Sequence, residues 1–130
     1  MRQARTPEEC DQRFAECVES GSLDDLVALY ERGASLVQHD GSVATGHSEI
    51  RRVLAYLTSV RTRMQMNILR VVESDGLAVV YNDWVSFRTG TDGAVTERTG
   101  RAIEIVRRQA DGRWLFVIDD PFARDNDLTE

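Results

Sequence analysis

Lysine is absent from this sequence: all 16 basic residues are Arg. That excludes Schiff-base chemistry on a lysine side chain and a P-loop lysine. Histidine is scarce. His39 and His47 are the only two, without H-E-x-x-H or C-x-x-C spacing around them, so no metal is expected. Cys10 and Cys17 sit seven residues apart in what reads as one helix, with Cα atoms ~10.5 Å apart at 1.5 Å per residue. That is too far for a disulfide and suggests no oxidising compartment. No G-x-S-x-G, G-x-G-x-x-G or Walker pattern occurs, and no cofactor is expected. An excess of positive charge is also lacking: 22 acidic residues against 16 basic leave a net charge of -6, which argues against nonspecific nucleic-acid binding. No apolar run approaches the ~18 residues of a membrane span. Met1 to Cys10 is polar, without the apolar stretch of a signal peptide, and the expected location is cytoplasmic.

What is present is enough for a single domain. The 130 residues are 42% hydrophobic and 29% charged, without repeats or linkers, so one domain over 1–130 is expected, ordered from about 6 to about 123 with a polar tail over 124–130. A first helix starts at Thr6 as cap with Pro7 behind it, carries Phe14, Cys17 and Val18 on one face and stops at Gly21. Ser22 and Asp25 open a second helix that carries Leu26, Val27, Leu29 and Tyr30 and breaks at Gly33. Short strands at Ala34–Val37 and Val43–Thr45 flank Asp40-Gly41, and a third helix from about His47 buries Ile50, Val53, Leu54 and Leu57. The period then changes to two. Met64, Met66 and Ile68 alternate with polar residues. Asp75-Gly76 turns into Leu77–Thr89, a long strand runs from about Val95 to Gln109, and Asp111-Gly112 turns into Arg113–Asp120. Three N-terminal helices followed by a meander of long strands is an α+β plan, with the helices on one face of an antiparallel sheet.

With the segments "LVALYERGASLVQHDGSVATG" (Leu26 to Gly46) and "AIEIVRRQADGRWLFVIDDP" (Ala102 to Pro121), this order resembles the nuclear transport factor 2-like superfamily, also called cystatin-like or ketosteroid-isomerase-like. Within it the chain looks most like the small SnoaL-like bacterial proteins, including those found beside polyketide and enediyne biosynthesis enzymes. The resemblance covers roughly Thr6 to Phe122. It implies a strongly bent sheet wrapped around three helices as a cone, with an apolar pocket open at one end. The cone hosts isomerases, cyclases, dehydratases and binding proteins, so it specifies fold better than activity. In an ungapped match to the steroid isomerases, the oxyanion-donating tyrosine falls on Phe14 and the aspartate base on Gln38. The protonated aspartate falls on Glu104. Two of three groups are missing, and steroid isomerisation is not expected. SnoaL-type cyclases use an acid–base aspartate on a late strand, a role that Asp119 fits best.

The residues themselves support a carboxylate pair. If Asp111-Gly112 is a two-residue loop, Val106 lies opposite Val117 and Glu104 opposite Asp119 on one face, while Ile105 faces Ile118, and Arg107 faces Phe116, on the other. A three-residue loop with a bulge at Gly112 would instead turn Asp120 inward. Two carboxylates facing each other on a buried surface do not both ionise readily, which suits a general acid or base. The alternative is structural: one or both at the pocket mouth, or paired with an Arg such as Arg98. Asn82 and Trp84 share a face, where Asn82 could orient a ligand carbonyl and Trp84 wall a flat ring or simply fill core. Gly100 and Ala102 would leave space for that ligand. Tyr30 would bring its hydroxyl to the pocket wall, and His39 reads as a loop residue near Gln38. Tyr81, Val85, Phe87, Ile103, Ile105, Phe116 and Ile118 form an apolar outer face with no element left to cover it, so a homodimer through the sheet is expected. The resulting expectation is a pocket for a small apolar, ring-containing molecule, with catalysis, if any, at Asp119 and Glu104. Phe14, Tyr30, Gln38, Asn82, Trp84, Val106 and Val117 would contact the ligand. A binding or sequestering protein and an assembly module are the competing readings.

Overall fold

The computed structural model describes residues 2–125. Its elements are α1 (Pro7–Ser20), α2 (Leu23–Val27), β1 (Tyr30–Val37), β2 (Val43–Thr45), α3 (Gly46–Ser59), β3 (Arg61–Ser74), β4 (Leu77–Thr89), β5 (Val95–Arg108) and β6 (Trp114–Asp120). α1 starts as its sequence suggests: the Thr6 hydroxyl accepts from the Glu9 N–H at 3.2 Å, and Gly21 ends it at φ 71°. Asp75 and Gly76 both take positive φ in the β3–β4 hairpin, the conformation a tight turn of this kind needs.

The six strands form one open sheet in the order β2-β1-β6-β5-β4-β3. Five of the expected features hold: three helices, a meander, one core, long strands and helices packed on one side. The sheet is mixed rather than wholly antiparallel, because β1 runs parallel to β6. That pairing also corrects the second helix. Leu26, Val27, Leu29 and Tyr30 are spaced for a helix, yet the helix ends at Val27 and Tyr30 opens β1. The Leu29 carbonyl accepts from the Phe116 N–H at 2.9 Å, so β6, distant in sequence, pulls this segment into the sheet.

The core lies between α1, α3 and the inner face of the sheet, with Phe14, Tyr30, Ile50, Leu54, Val80 and Phe116 among its members. Phe116 was expected on the outer face and is instead buried in the core. The remaining outer-face residues Tyr81, Val85, Phe87, Ile103 and Ile105 are half-buried, and Ile118 is 40% exposed. Part of their cover comes from the chain itself. Arg63 lies over Phe87, and Arg70 and Arg124 lie over Tyr81. Arg124 and Asp125, expected in a frayed tail, are tied to the sheet: the Arg124 N–H donates to the Arg101 carbonyl, and the Arg101 N–H donates to Asp125 Oδ1 at 2.7 Å. The rest of that tail, 126–130, lies outside the described residues. Among the described residues no helix is long and apolar enough to cross a membrane.

Candidate functional site

A cavity of about 620 Å³ opens between the inner sheet face, α1 and α3. Phe14, Leu36, Val53, Leu57, Met64 and Met66 supply its apolar walls. Asn82, Glu104 and Asp119 supply polar groups deep inside, and Gln38, His39, Trp84, Pro121 and Phe122 also line it.

Asp119 faces inward because two irregularities cancel. The β5–β6 loop holds three residues, with Gln109 and Arg113 closing it and Gly112 at φ 89°. That loop places Trp114 and Phe116 on the inner side, opposite Arg108 and Val106. Left uncorrected, the alternation would turn Asp120 inward. A bulge between Phe116 and Ile118 absorbs Val117 and restores the register, so Glu104 pairs with Asp119 and Ile105 with Ile118. The expected Glu104–Asp119 pair therefore forms by a different route. Val117, absorbed by the bulge, does not line the cavity, and Val106 packs behind it in the core.

Each carboxyl has a defined partner. The Tyr30 hydroxyl donates to Asp119 Oδ2 at 2.6 Å. Asn82 Nδ2 donates to Glu104 Oε2 at 3.4 Å, while its Oδ1 accepts from the Asn67 N–H at 3.0 Å. Glu104 Oε1 is buried, and no N–H or hydroxyl among the described residues donates to it. A third carboxyl, Asp11 on α1, sits behind Glu104, 1% exposed, within hydrogen-bond reach of the Glu104 carboxyl and with no N–H or hydroxyl among the described residues donating to it. Burial is the main force on all three. It raises Glu104 well above the usual carboxyl range, reinforced by the negative charges of Asp11 and Asp119. It lifts Asp119 to about 7 against the opposing hydrogen bond from Tyr30, and Asp11 to about 6 against the hydrogen bond a neutral Glu104 can give it. The cavity floor thus holds protons at neutral pH. Tyr30 is pushed up as well, by burial and by Asp119, so it stays a donor. Among the described residues no group of three His, Cys, Asp or Glu side chains is arranged to hold a metal ion.

The profile of the SnoaL-like domain matches residues 12–117, which is most of the chain. The chain belongs to the SnoaL-like domain family. No curated protein is significantly similar in sequence. Among solved structures, this SnoaL-like domain is similar to a conserved protein from Planctomyces limnophilus, with a TM-score of 0.80 at 19% identity over 88% of this chain and 91% of that one. It is also similar to a ketosteroid isomerase-like protein from Erwinia carotovora, at TM-score 0.74 and 20% identity over 87% and 89% of the two chains. A third likeness is an NTF2-like protein with a cystatin-like fold from Novosphingobium aromaticivorans, at TM-score 0.73 and 18% identity over 86% and 75%. At these identities the likenesses establish the fold: an α+β cone of the NTF2-like, cystatin-like kind.

Of the residues singled out in the sequence, the SnoaL-like domain brings Phe14, Gln38, Asn82, Trp84, Glu104 and Asp119 to one cavity. Tyr30 does not line it; its hydroxyl is spent on Asp119 from behind. Asn82 is likewise committed to Asn67 and Glu104, which makes it a holder of Glu104 rather than a free ligand contact. Gly100 leaves no room for a ligand, since the Trp84 indole already lies across it: a Cβ there would come within 2.5 Å of three indole atoms. Trp84 Nε1 donates to the Pro121 carbonyl at 2.8 Å, and its ring meets Phe122 edge-on. Phe122 in turn meets the His39 ring at 4.7 Å between centroids; His39 is an exposed turn residue, as expected, and stands at the rim of the cavity.

Asp11 was missed. Its signal was its place in a stripe: Pro7, Asp11, Phe14 and Val18 recur at spacings of about 3.5 and are all buried. An acid on the apolar face of an amphipathic helix needs a reason, and here the reason is Glu104.

Proposed function

We propose that the cavity takes a flat, mostly apolar, ring-containing molecule bearing a carbonyl or enol oxygen and performs cofactor-free acid–base chemistry on it, of the isomerisation, cyclisation or dehydration type. The observation that carries this reading is the pair of facing, buried carboxyls Glu104 and Asp119 at the floor of a cavity whose walls there are apolar. Neutral Glu104 has one proton, which it can turn from Asp11 to a ligand oxygen. Asp119, lifted to about 7, is divided between its two forms near neutrality, which suits a group that takes and returns a proton. In one turnover the Asp119 carboxylate takes a proton from carbon alpha to the carbonyl. The C–H electron pair moves to the oxygen, which accepts the Glu104 hydrogen bond, and the Asp119 proton then returns at a different carbon. Donors aimed at the developing charge in a low-dielectric site are worth about 10²–10³ in rate each. Tyr30 and Asn82 are positioning residues for the two acids. Phe14 brings no hydroxyl into the cavity and Gln38 no base, so steroid isomerisation stays outside this reading. A cytoplasmic location belongs to it.

The reading is tested with 2-tetralone, a small bicyclic ketone with acidic alpha protons. Proton–deuterium exchange at those carbons, followed by NMR, is expected to be accelerated by the protein and to fall by about 10²-fold or more in Asp119→Asn. No acceleration over buffer would contradict acid–base catalysis and favour a protein that only holds its ligand.

We also propose that two copies pair through the outer sheet face around Ile105 and Ile118. Ile118 is 40% exposed in the single chain, so a glutamate there costs little unless a partner covers it. Ile118→Glu is expected to give a folded monomer in sedimentation at micromolar concentration, where the unaltered protein is a dimer, because an unpaired charge buried at an interface costs several kcal/mol, about 3–5. An unaltered protein that sediments as a monomer would contradict the pairing.

A further inference from the structure

We infer that the cavity binds its ligand by an anionic group at the mouth as well as by an oxygen at the floor, so that the substrate class is an amphiphilic anion with a carboxylate, or another oxyanion, held by Arg52, Arg88 and Arg98. The inference rests on the reading of this cavity as a ligand site and adds the second pole of the ligand. All three guanidinium groups belong to residues that line the cavity. Arg88 on β4 and Arg98 on β5 are diagonal neighbours on the inner face, since Arg88 pairs with Thr96 and Arg98 with Ser86. Arg52 stands one turn before Tyr56 on α3.

The chain has more acids than bases, 22 to 16, and six of its arginines are ion-paired: Arg2, Arg13, Arg51, Arg107, Arg113 and Arg124. Among the described residues Arg52, Arg88 and Arg98 have no carboxylate partner within salt-bridge distance. The carboxylate closest in the lining to Arg52 along α3 is Glu49, and its Oε1 accepts from the Thr45 N–H. Arg88 Nε is buried without a hydrogen-bond partner. Two of the guanidinium groups are nevertheless held in place. Arg88 lies 4.5 Å from the centroid of the Tyr56 ring and Arg98 4.8 Å from that of Phe122. Packing a guanidinium against a ring occupies its face and leaves its in-plane N–H donors for an acceptor, the arrangement that suits a planar carboxylate.

The two poles sit on the same strand. Glu104 and Arg98 are six residues apart on β5, about 20 Å between Cα atoms at 3.3–3.4 Å per residue, which leaves room for a bicyclic body between their side chains. Reversed, the ligand would place its anion in the buried floor beside Glu104 and Asp119, where the desolvation that keeps these carboxyls protonated also opposes a charge on the ligand.

Two probes with the same rings separate the possibilities: 8-anilino-1-naphthalenesulfonate, which is anionic, and N-phenyl-1-naphthylamine, which lacks the sulfonate. Binding is followed by fluorescence and by the Trp84 indole N–H signal in NMR, which reports occupancy of this cavity. The sulfonate is expected to bind at least about tenfold more tightly, with a preference that shrinks as salt is raised from about 50 mM to about 0.5 M. In the Arg88→Gln, Arg98→Gln double variant the preference is expected to fall below about threefold while the neutral probe binds as before, which also shows that the variant is folded. Equal affinity for both probes in the unaltered protein, or a preference that survives in the double variant, would overturn the anionic pole and leave the cavity reading standing. If neither probe moves the Trp84 signal, the cavity reading fails and this inference with it.

Discussion

Asp119→Asn is expected to make the protein more stable at pH 8 and to leave it nearly unchanged at pH 4. The Asp119 carboxyl is raised from 3.8 to about 7 in the folded protein, chiefly by burial. The folded state therefore holds the proton more tightly than the unfolded chain. Between those two values the folded protein is the more protonated state, so stability falls as pH rises. The contribution of the proton is fully present below about pH 4 and lost by the time pH has passed through about 7. Asn cannot ionise, and its Oδ1 still accepts from the Tyr30 hydroxyl that now donates to Asp119 at 2.6 Å. At 1.36 kcal/mol per unit the gain at pH 8 is about 2–4 kcal/mol, the upper end being the full shift. Urea unfolding at the two pH values reads it directly. A substitution that is destabilising at both would show that Asp119 is ionised and well paired. The same substitution removes the acid–base group, so stability and turnover are expected to move in opposite directions.

The second large effect is expected at Gly100→Ala. One methyl group there would meet the Trp84 indole within 2.5 Å at Cζ2, Cε2 and Nε1. The indole cannot yield cheaply, because Nε1 is bonded to the Pro121 carbonyl at 2.8 Å and the ring packs on Phe122. Overpacking costs about 1–3 kcal/mol, and a lost hydrogen bond adds about 1, so a loss of about 2–4 kcal/mol is expected. Displacement of Trp84 should also shift its indole N–H signal and weaken probe binding in the cavity. A variant as stable as the parent, with the indole signal unmoved, would mean that Trp84 does not lie across Gly100.

These two sites differ in how far their sequence announces them. The meander was legible because β3 alternates from Met64 to Ile68 and Asp75-Gly76 turns into β4, which begins at Leu77 and ends at Thr89, as read. The start of α1 was legible for a similarly local reason, a capping Thr6 followed by Pro7, Glu8 and Glu9. What could not be read locally came from pairing between distant segments. Leu29 and Tyr30 carry helical spacing but lie beside β6. Phe116 moved from the outer face to the core because the loop at Gly112 has three residues. Asp119 kept its expected face only because the bulge at Val117 compensates for that loop. Loop length and bulge are fixed by packing across the sheet, and the alternation of a seven-residue strand holds no record of either.

The site was partly legible for a related reason. Glu104 and Asp119 stand out as acids inside apolar strands. Asp11 stands among polar neighbours on α1, so only its place in the buried stripe marks it. The hydrogen bonds of Asn82 to Asn67 and Glu104 depend on three strands meeting, and no spacing within β4 could show that its amide is already engaged. Gly100 carries a side-chain-sized space in sequence, and that space belongs to the cross-strand partner Trp84. The arginines of the mouth were unremarkable in sequence because every base in the chain is Arg, and only the fold shows which three line the cavity without a carboxylate partner among the described residues.

The central claim is that the cavity floor keeps protons at neutral pH on carboxyls that face one another. Carboxyl-carbon NMR across pH 3 to 9 tests it most directly. Asp119 is expected to titrate near about 7, with Glu104 well above the ordinary carboxyl range and the two curves coupled through a shared inflection. Independent titrations of Glu104 and Asp119 near ~4, unaffected by Asp119→Asn or Glu104→Gln, would contradict the account.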